Sequence, residues 1–308
     1  MTLAHRSICR ATFPNGCPSR DFIQAAACAL VLMLGLTGMP DSVFAVSSSN
    51  LDSISLSDAS WSVNLGSLLS YDPSTGTYLT PNQSTSNGLP PPTGWHWDNN
   101  IQTLSPTGSL QTVSGVQQTE SDGSVITFYA TGNPDPFLSY GFGVSNPTGS
   151  VRTFLFVDAG SITPPISGNY NLFSDIGGSI TDAGGHSGSA QATPIGSTIQ
   201  SVLLSTDGGA TFFDSGADVG PVGTSTGIPT PTASYGIYST SLSGFSGTPI
   251  NYWLIADKFT LTPDGDSAAL TGFAELTSEI PEPSTYAVLM GLLSFGVVVL
   301  RRNKRQQH

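Results

Sequence analysis

The interior of this 308-residue chain has almost no basic residues. Between residues 46 and 280 the only cations are Arg152 and Lys258, and 18 acidic residues give this stretch a net charge of −16. Nucleic-acid binding depends on Lys and Arg at the phosphates, so this class of function is excluded. Charged residues make up only 10% of the whole chain, which argues against coiled coils and highly charged disordered segments.

Cysteine is missing from the same stretch. Cys9, Cys17 and Cys28 all lie within the first 45 residues. A domain over 46–280 therefore folds without disulfides and has no Cys-rich zinc site. At about 235 residues, it is long enough to be stable through burial of apolar side chains alone.

Helical periodicity is also absent from the body, and strand patterns take its place. The alternation from Leu138 to Val144 predicts a strand with one buried face. The run Val151–Val157 is apolar on both faces and predicts a central strand. We expect these two strands to form a hairpin around the turn Ser145–Gly149.

A second hairpin is predicted near the end of the body, where 252–262 and 267–277 flank Asp264-Gly265. Further strands are expected at 51–57, 61–70, 112–118, 124–131, 197–205, 210–213 and 233–241. Loops are expected at 72–94, 176–188 and 220–232. Many short strands separated by turns predict an all-β fold, an antiparallel β-sandwich or jelly-roll-like single domain over 46–280.

The N-terminus has the features of a secretory signal peptide. Basic residues at Arg6, Arg10 and Arg20 precede the apolar run Ala25–Leu36. Small residues in Val43-Phe44-Ala45 then predict cleavage by signal peptidase after Ala45. The signal-peptide helix would thus lie within 1–45; the alternative is an uncleaved signal anchor.

The C-terminus has the features of a short transmembrane helix. Residues 285–300 carry no charge, and a basic tail follows at 301–305. Sixteen helical residues span about 24 Å, a little less than the roughly 30 Å hydrocarbon core. The positive-inside rule places the basic tail in the cytoplasm and the body outside. The alternative, a buried core helix, does not explain the basic tail.

The last 28 residues, 281–308, resemble the PEP-CTERM sorting signal. Pro281-Glu282-Pro283 precedes the apolar helix, and Arg301-Arg302 follows it. The resemblance implies that an exosortase recognises and processes this end. It also implies a Gram-negative envelope or extracellular protein, often from organisms that make exopolysaccharide. The body segments Asp135–Gly149 and Phe259–Ala268 are more loosely similar to domains that precede this signal, which implies a fold but no activity.

The cluster Trp95-His96-Trp97 is a candidate ligand-binding site. Exposed indole rings stack on sugars, and His96 would bond hydroxyl groups. However, Trp95 and Trp97 are two residues apart and share one face of a strand. Because Trp side chains are usually buried, core packing is the favoured interpretation.

No catalytic residue is predicted. The chain has no Gly-x-Ser-x-Gly elbow in a strand-to-helix context, and Gly185–Gly188 is typical of a turn. A glycoside hydrolase needs two carboxylates at a set separation, which the sequence cannot locate. Calcium is the only metal with candidate ligands, at Asp264 and Asp266, with 121–123 and 207–209 as weaker candidates. Asp-Gly is foremost a turn dipeptide, so we predict no bound cofactor.

These features together predict an exported protein of the envelope or extracellular matrix. Its expected role is structural or adhesive, and the expected partners are neutral polysaccharide or other envelope proteins. A carbohydrate-binding module using Trp95 and Trp97 is the alternative, followed by a glycoside hydrolase. Acidic polysaccharide and anionic lipid would be repelled by the body unless divalent cations bridge the two.

Overall fold

The computed structural model describes residues 54–80, 90–184, 188–225 and 231–279. In these ranges the protein is all-β, with fifteen strands in antiparallel pairs and one single-turn 3-10 helix at Gly66–Leu68. No helix in the described ranges is long and apolar enough to cross a membrane. The predicted signal peptide with Ala45 and the predicted sorting segment 281–308 lie outside the described residues.

The strands follow one another along the chain as β1 (Ser55–Ser57), β2 (Ser62–Asn64), β3 (Ser70–Asp72), β4 (Thr77–Leu79), β5 (His96–Leu104), β6 (Leu110–Thr119), β7 (Val125–Asn133), β8 (Phe137–Asn146), β9 (Arg152–Thr181), β10 (Ala190–Pro194), β11 (Gln200–Ser205), β12 (Phe213–Asp214), β13 (Gly223–Ser225), β14 (Thr232–Leu261) and β15 (Asp266–Ser278). All belong to one hydrogen-bonded sheet. Its main path runs β12-β11-β14-β9-β15-β8-β7-β4-β3.

Two strands of 30 residues each, β9 and β14, pair along most of their length. Their two halves take different further partners and so define two parts of the sheet. The first half of β9 pairs with β1 and with the second half of β14, which also pairs with β10 and β11. The second half of β9 pairs with the first half of β14 and with β15. Beyond β15, the sheet continues through β8 to β7.

Aromatic side chains from both parts of the sheet contribute to one core. Tyr140 and Phe142 of β8 stack on Phe156 of β9, with ring centroids 4.5 and 4.9 Å apart, and Phe142 also contacts Phe259 of β14 at 6.3 Å. The two residues of each ring pair are not neighbours in the hydrogen-bonded sheet. These rings therefore lie together in the main core.

The predicted apolar stripe on β8 is confirmed. Leu138, Tyr140, Phe142 and Val144 are all buried in the main core. The expectation of a single buried face is wrong, because Ser139 and Gly141 on the opposite face are also buried, beneath β5. The prediction for 151–157 is correct in part: the strand is central, paired with β1 and β14, but Val151 precedes it and is 59% exposed. The turn leads into β9 there, so Val151 faces solvent rather than a second apolar layer.

Both predicted hairpins are wrong. β8 pairs with β7 and β15 and not with β9, while β14 pairs with β9, β10 and β11 and not with β15. The Asp264-Gly265 turn is present, with φ of 65° and 97°. Each connection passes from one part of the sheet to the other, so the strands that it joins are not hydrogen-bonded neighbours.

The predicted loops are correct only in part, because several of their residues belong to strands. Residues 176–181 continue β9, β4 lies within 72–94 and β13 lies within 220–232. Gly178 has a packing role: a Cβ there would come within 2.0 Å of the Ala269 carbonyl oxygen on β15. Residues 81–89, 185–187 and 226–230 of these segments lie outside the described ranges.

Candidate functional site

A groove of about 400 Å³ lies where the β5–β6 hairpin covers β8 and β15. β5 approaches closely because Gly141 has no side chain: a Cβ there would lie 2.0 Å from the Gln102 carbonyl oxygen. The Ser139 hydroxyl also donates a hydrogen bond of 2.5 Å to the Leu104 carbonyl. The β5 strand is therefore held against the outer face of β8, and the groove opens beside it.

The groove has a floor of small side chains and a polar wall. The floor includes Gly143 and Ala269, and Asp98, Asn100 and Gln102 of β5 line the wall. Gln102 Nε2 also donates a hydrogen bond of 2.7 Å to Thr112 Oγ1 on β6. Carboxylate and carboxamide groups bond hydroxyl groups of a ligand. The arrangement suits a narrow, hydroxyl-rich ligand, and it contains no histidine or cysteine for nucleophilic or metal chemistry.

A buried polar network lies between the two parts of the sheet. The Tyr140 hydroxyl lies 2.7 Å from Asp257 Oδ2 and 2.9 Å from Gln200 Oε1, and Gln200 Nε2 donates to the Ser174 hydroxyl at 2.7 Å. Burial raises the pKa of Asp257 to about 8, although the hydrogen bond from Tyr140 opposes the shift. Burial and the charge of Asp257 raise the pKa of Tyr140 well above its usual value.

Two further carboxyl groups are buried without a hydrogen bond to offset the loss of solvation. Both carboxyl oxygens of Asp158 and of Asp175 lack a hydrogen-bond partner among the described residues. Burial raises the pKa of each of these groups to about 7. Sequence reasoning missed them, although Asp158 and Asp257 each follow an apolar run within a predicted strand, which is a signal for a buried acid.

The structure places the Trp95 cluster at the start of β5. Trp95 is only 7% exposed and belongs to the main core, and the partly buried Trp97 packs against the same core. His96, between them, is exposed. The indole face of Trp95 is thus not available for stacking on a sugar, as the core-packing interpretation expects.

The candidate calcium ligands are engaged in turns. Asp264 is exposed, whereas Asp266 is buried and its Oδ1 accepts a hydrogen bond of 3.0 Å from the Ala183 amide. Asp122 contacts Arg152, and Asp207 accepts bonds from its own turn. Among the described residues, no group of three or more His, Cys, Asp or Glu is arranged to hold a metal ion.

Comparison with known proteins gives no family assignment. The chain matches no protein-family model and no curated protein.

Proposed function

We propose that this chain is an exported structural or adhesive protein of the cell envelope or extracellular matrix, sorted by its PEP-CTERM-like C-terminus. The observation that supports this proposal is the position of the last strand of the body, which directly precedes the predicted membrane tether, residues 281–308. The last strand, β15, pairs with β8 from Asp266 to Glu275 and with β9 from Ser267 to Ser278. A pull on the tether would therefore load hydrogen bonds on both sides of a central strand.

The proposed fold type is a β-sandwich of jelly-roll character. The ring contacts between β8 and β9 and the shared core support a two-layer arrangement. A rigid, cysteine-free domain of this kind needs no redox chemistry to fold outside the cell. This property suits a surface or matrix component.

The sorting step is tested by changing the signal and leaving the body intact. Replacing Glu282 with Ala, or deleting residues 301–305, should leave an unprocessed protein in the membrane fraction. Glu279→Ala is the matched control, since it removes an acid three residues before Glu282 and outside the motif. Release and apparent mass identical to wild type in both signal variants would contradict the sorting proposal.

The structural role is tested by asking whether the protein turns over a substrate. A panel of neutral and acidic polysaccharides should show no product after incubation with the purified chain. Deleting the gene in its host should weaken retention of the surface matrix without changing soluble hydrolase activity. Reproducible cleavage of any polysaccharide would overturn the proposal in favour of a glycoside hydrolase.

A second candidate function is binding of a neutral glycan in the groove beside β5. The polar wall formed by Asp98, Asn100 and Gln102 favours it. Calorimetry with neutral oligosaccharides should detect binding that Gln102→Ala weakens and Gln118→Ala, off the groove, does not. The version that uses Trp95 and Trp97 predicts quenching of both indoles by a collisional quencher, whereas core packing predicts protection.

A further inference from the structure

One long edge of the sheet is open in the described part of the chain. From Thr232 to Ile250, β14 pairs only with β9, since β11 and β10 meet it later, at Tyr252 and Phe259. The register with β9 is uninterrupted from Gly236 to Ser246. The regular segment Gly236–Ser246, the open edge, has no backbone partner on its second side among the described residues.

The open edge lacks the features that usually prevent strand pairing. Natural edges are protected by charged residues, prolines or bulges. No charged residue or histidine occurs from Val219 to Ala256, and the nearest prolines, Pro231 and Pro249, lie outside the open edge. The register shifts at 234–236 and 246–250 flank the open edge and leave its eleven residues regular. The β5 edge, in contrast, carries Asp98 and an irregularity that begins there.

The open edge also exposes large apolar side chains. Of the nine such side chains exposed in the described ranges, three lie here: Ile237 is 45% exposed, Tyr238 37% and Phe245 74%. Ile237 and Phe245 are an even number of positions apart, so both lie on one face of the strand. Ser241 is midway between them.

We propose that the open edge is a self-association surface that pairs antiparallel with the open edge of a second copy, around a two-fold axis at Ser241. In this register Ser241 lies opposite Ser241 of the second copy. Ile237 then lies opposite Phe245 of the second copy, on the same face. Directly opposed aromatic and β-branched residues are a favourable cross-strand pair.

The charge distribution identifies a second copy as the occupant. Each body carries a net charge of −16, so most surfaces of two copies repel each other. The open edge is neutral, and pairing it with itself places no carboxylate at the contact. The two-fold arrangement uses the open edge of both copies at once, so this contact closes at a dimer. This inference depends on the body alone and not on its export.

Cysteine cross-linking tests the contact and its register. In the full chain, with Cys9, Cys17 and Cys28 replaced by Ser and the protein held in non-ionic detergent, Ser241→Cys should form an intermolecular disulfide under mild oxidation. Ser239→Cys is the matched control, because its two copies would be roughly 13 Å apart along the strands. We expect at least about tenfold more linked dimer for Ser241→Cys, since disulfides need close Cα atoms.

Charge substitution at the same position provides a second readout. Ser241→Lys and Ser241→Glu each place like charges at the axis and should weaken dimerisation by about tenfold or more, whereas their mixture should form dimers again. Ser121→Lys, an equally exposed change in the β6–β7 turn, should leave dimerisation unchanged. Light scattering measures each case, and circular dichroism checks that each variant folds.

Two results would overturn the proposal. One is a wild-type chain that stays monomeric over the full accessible concentration range. The other is a dimer that links equally through Ser239→Cys and Ser241→Cys, or that does not respond to the Lys and Glu changes. The second result would place the contact elsewhere on the body.

Discussion

Asp257 lies in the core against Tyr140, and its protonation links stability to pH. Burial raises its pKa to about 8 in the folded protein, whereas an unfolded Asp titrates at about 3.9. The folded state therefore holds a proton that the unfolded state releases between these values. The contribution of the protonated group is complete below about pH 4 and is lost as the pH rises towards 8. Asp158, with its pKa raised to about 7, acts in the same direction.

We predict that Asp257→Asn flattens this dependence. The amide keeps a polar contact with Tyr140 but cannot ionise, so the variant should be more stable than wild type at pH 8.5. Through Asp257 alone, wild type should lose free energy of unfolding on the order of 4 kcal/mol between pH 5 and 8.5, since its pKa lies about three pH units above 5. Urea unfolding at both pH values measures the difference, with the exposed Asp135→Asn as control. A wild type that is more stable at pH 8.5 than at pH 5 would contradict the prediction.

Arg152 joins two turns that are far apart in the sequence. Its guanidinium contacts both Asp58, after β1, and Asp122, between β6 and β7. Partial burial alone would raise the pKa of Asp122, but hydrogen bonds from Ser124 and the contact with Arg152 outweigh it and lower the pKa to about 2. The carboxylate is therefore ionised and stabilising at neutral pH.

We predict that Arg152→Gln lowers the free energy of unfolding by about 1–2 kcal/mol, because two carboxylates lose their shared counterion. Lys258→Gln is a matched control: it removes the other cation of the body, which forms no salt bridge with a described residue. Urea unfolding at low salt measures both variants. Equal destabilisation by the two changes would show that net charge, and not the Arg152 contact, is responsible.

At the scale of elements, the side chain of Asn146 links the β8–β9 connection to the β14–β15 connection by hydrogen bonds. The buried Asn146 amide donates to the carbonyl groups of Ser150, Leu261 and Thr262, at 2.9 to 3.1 Å. Ser150 lies in the β8–β9 connection, Leu261 is the last residue of β14, and Thr262 begins the β14–β15 connection. The backbone amide of Gly265 also donates to the Asn146 carbonyl at 2.7 Å.

We predict that Asn146→Asp destabilises the domain by about 3 kcal/mol, because a carboxylate cannot donate to the three carbonyl oxygens that face it. Asn100→Asp, at an exposed position, is the control, because it adds the same charge without removing buried hydrogen bonds. Thermal unfolding compares the two variants. If Asn146→Asp had the same melting temperature as wild type at pH 7, the Asn146 amide would not stabilise the two connections.

The sequence predicts strands well where alternation is strict and predicts pairing poorly. The Leu138–Val144 stripe and the Asp264-Gly265 turn are local signals, and both are present. Which strand lies beside β8 depends on contacts with β15, far along the chain, so the local turn at 145–149 indicated the wrong partner. The glycine-rich run at 176–188 predicts a loop because glycine favours turns, whereas Gly178 allows a close contact between strands. The buried acids were missed for a similar reason, since burial depends on strands distant in sequence.

The whole molecule combines a strongly acidic body with one long neutral edge. If two copies pair through the open edge, the bodies still repel each other through their net charges of −16. This repulsion acts over a distance set by ionic strength, with a screening length of about 30 Å at 0.01 M salt and about 8 Å at 0.15 M. Hydrogen bonds and apolar contacts at the edge are much less sensitive to salt.

Self-association should therefore strengthen as salt is added. We predict that the dimer dissociation constant falls several-fold between about 0.01 M and 0.15 M NaCl, because screening removes repulsion between the bodies and leaves the neutral contact in place. Sedimentation of the full chain in detergent over this range measures the change, and Arg152→Gln, which adds to the net charge away from the edge, should steepen it. A contact held by ion pairs would respond in the opposite direction and dissociate as salt is added, so the sign of the salt dependence alone distinguishes a neutral strand edge from a charged interface.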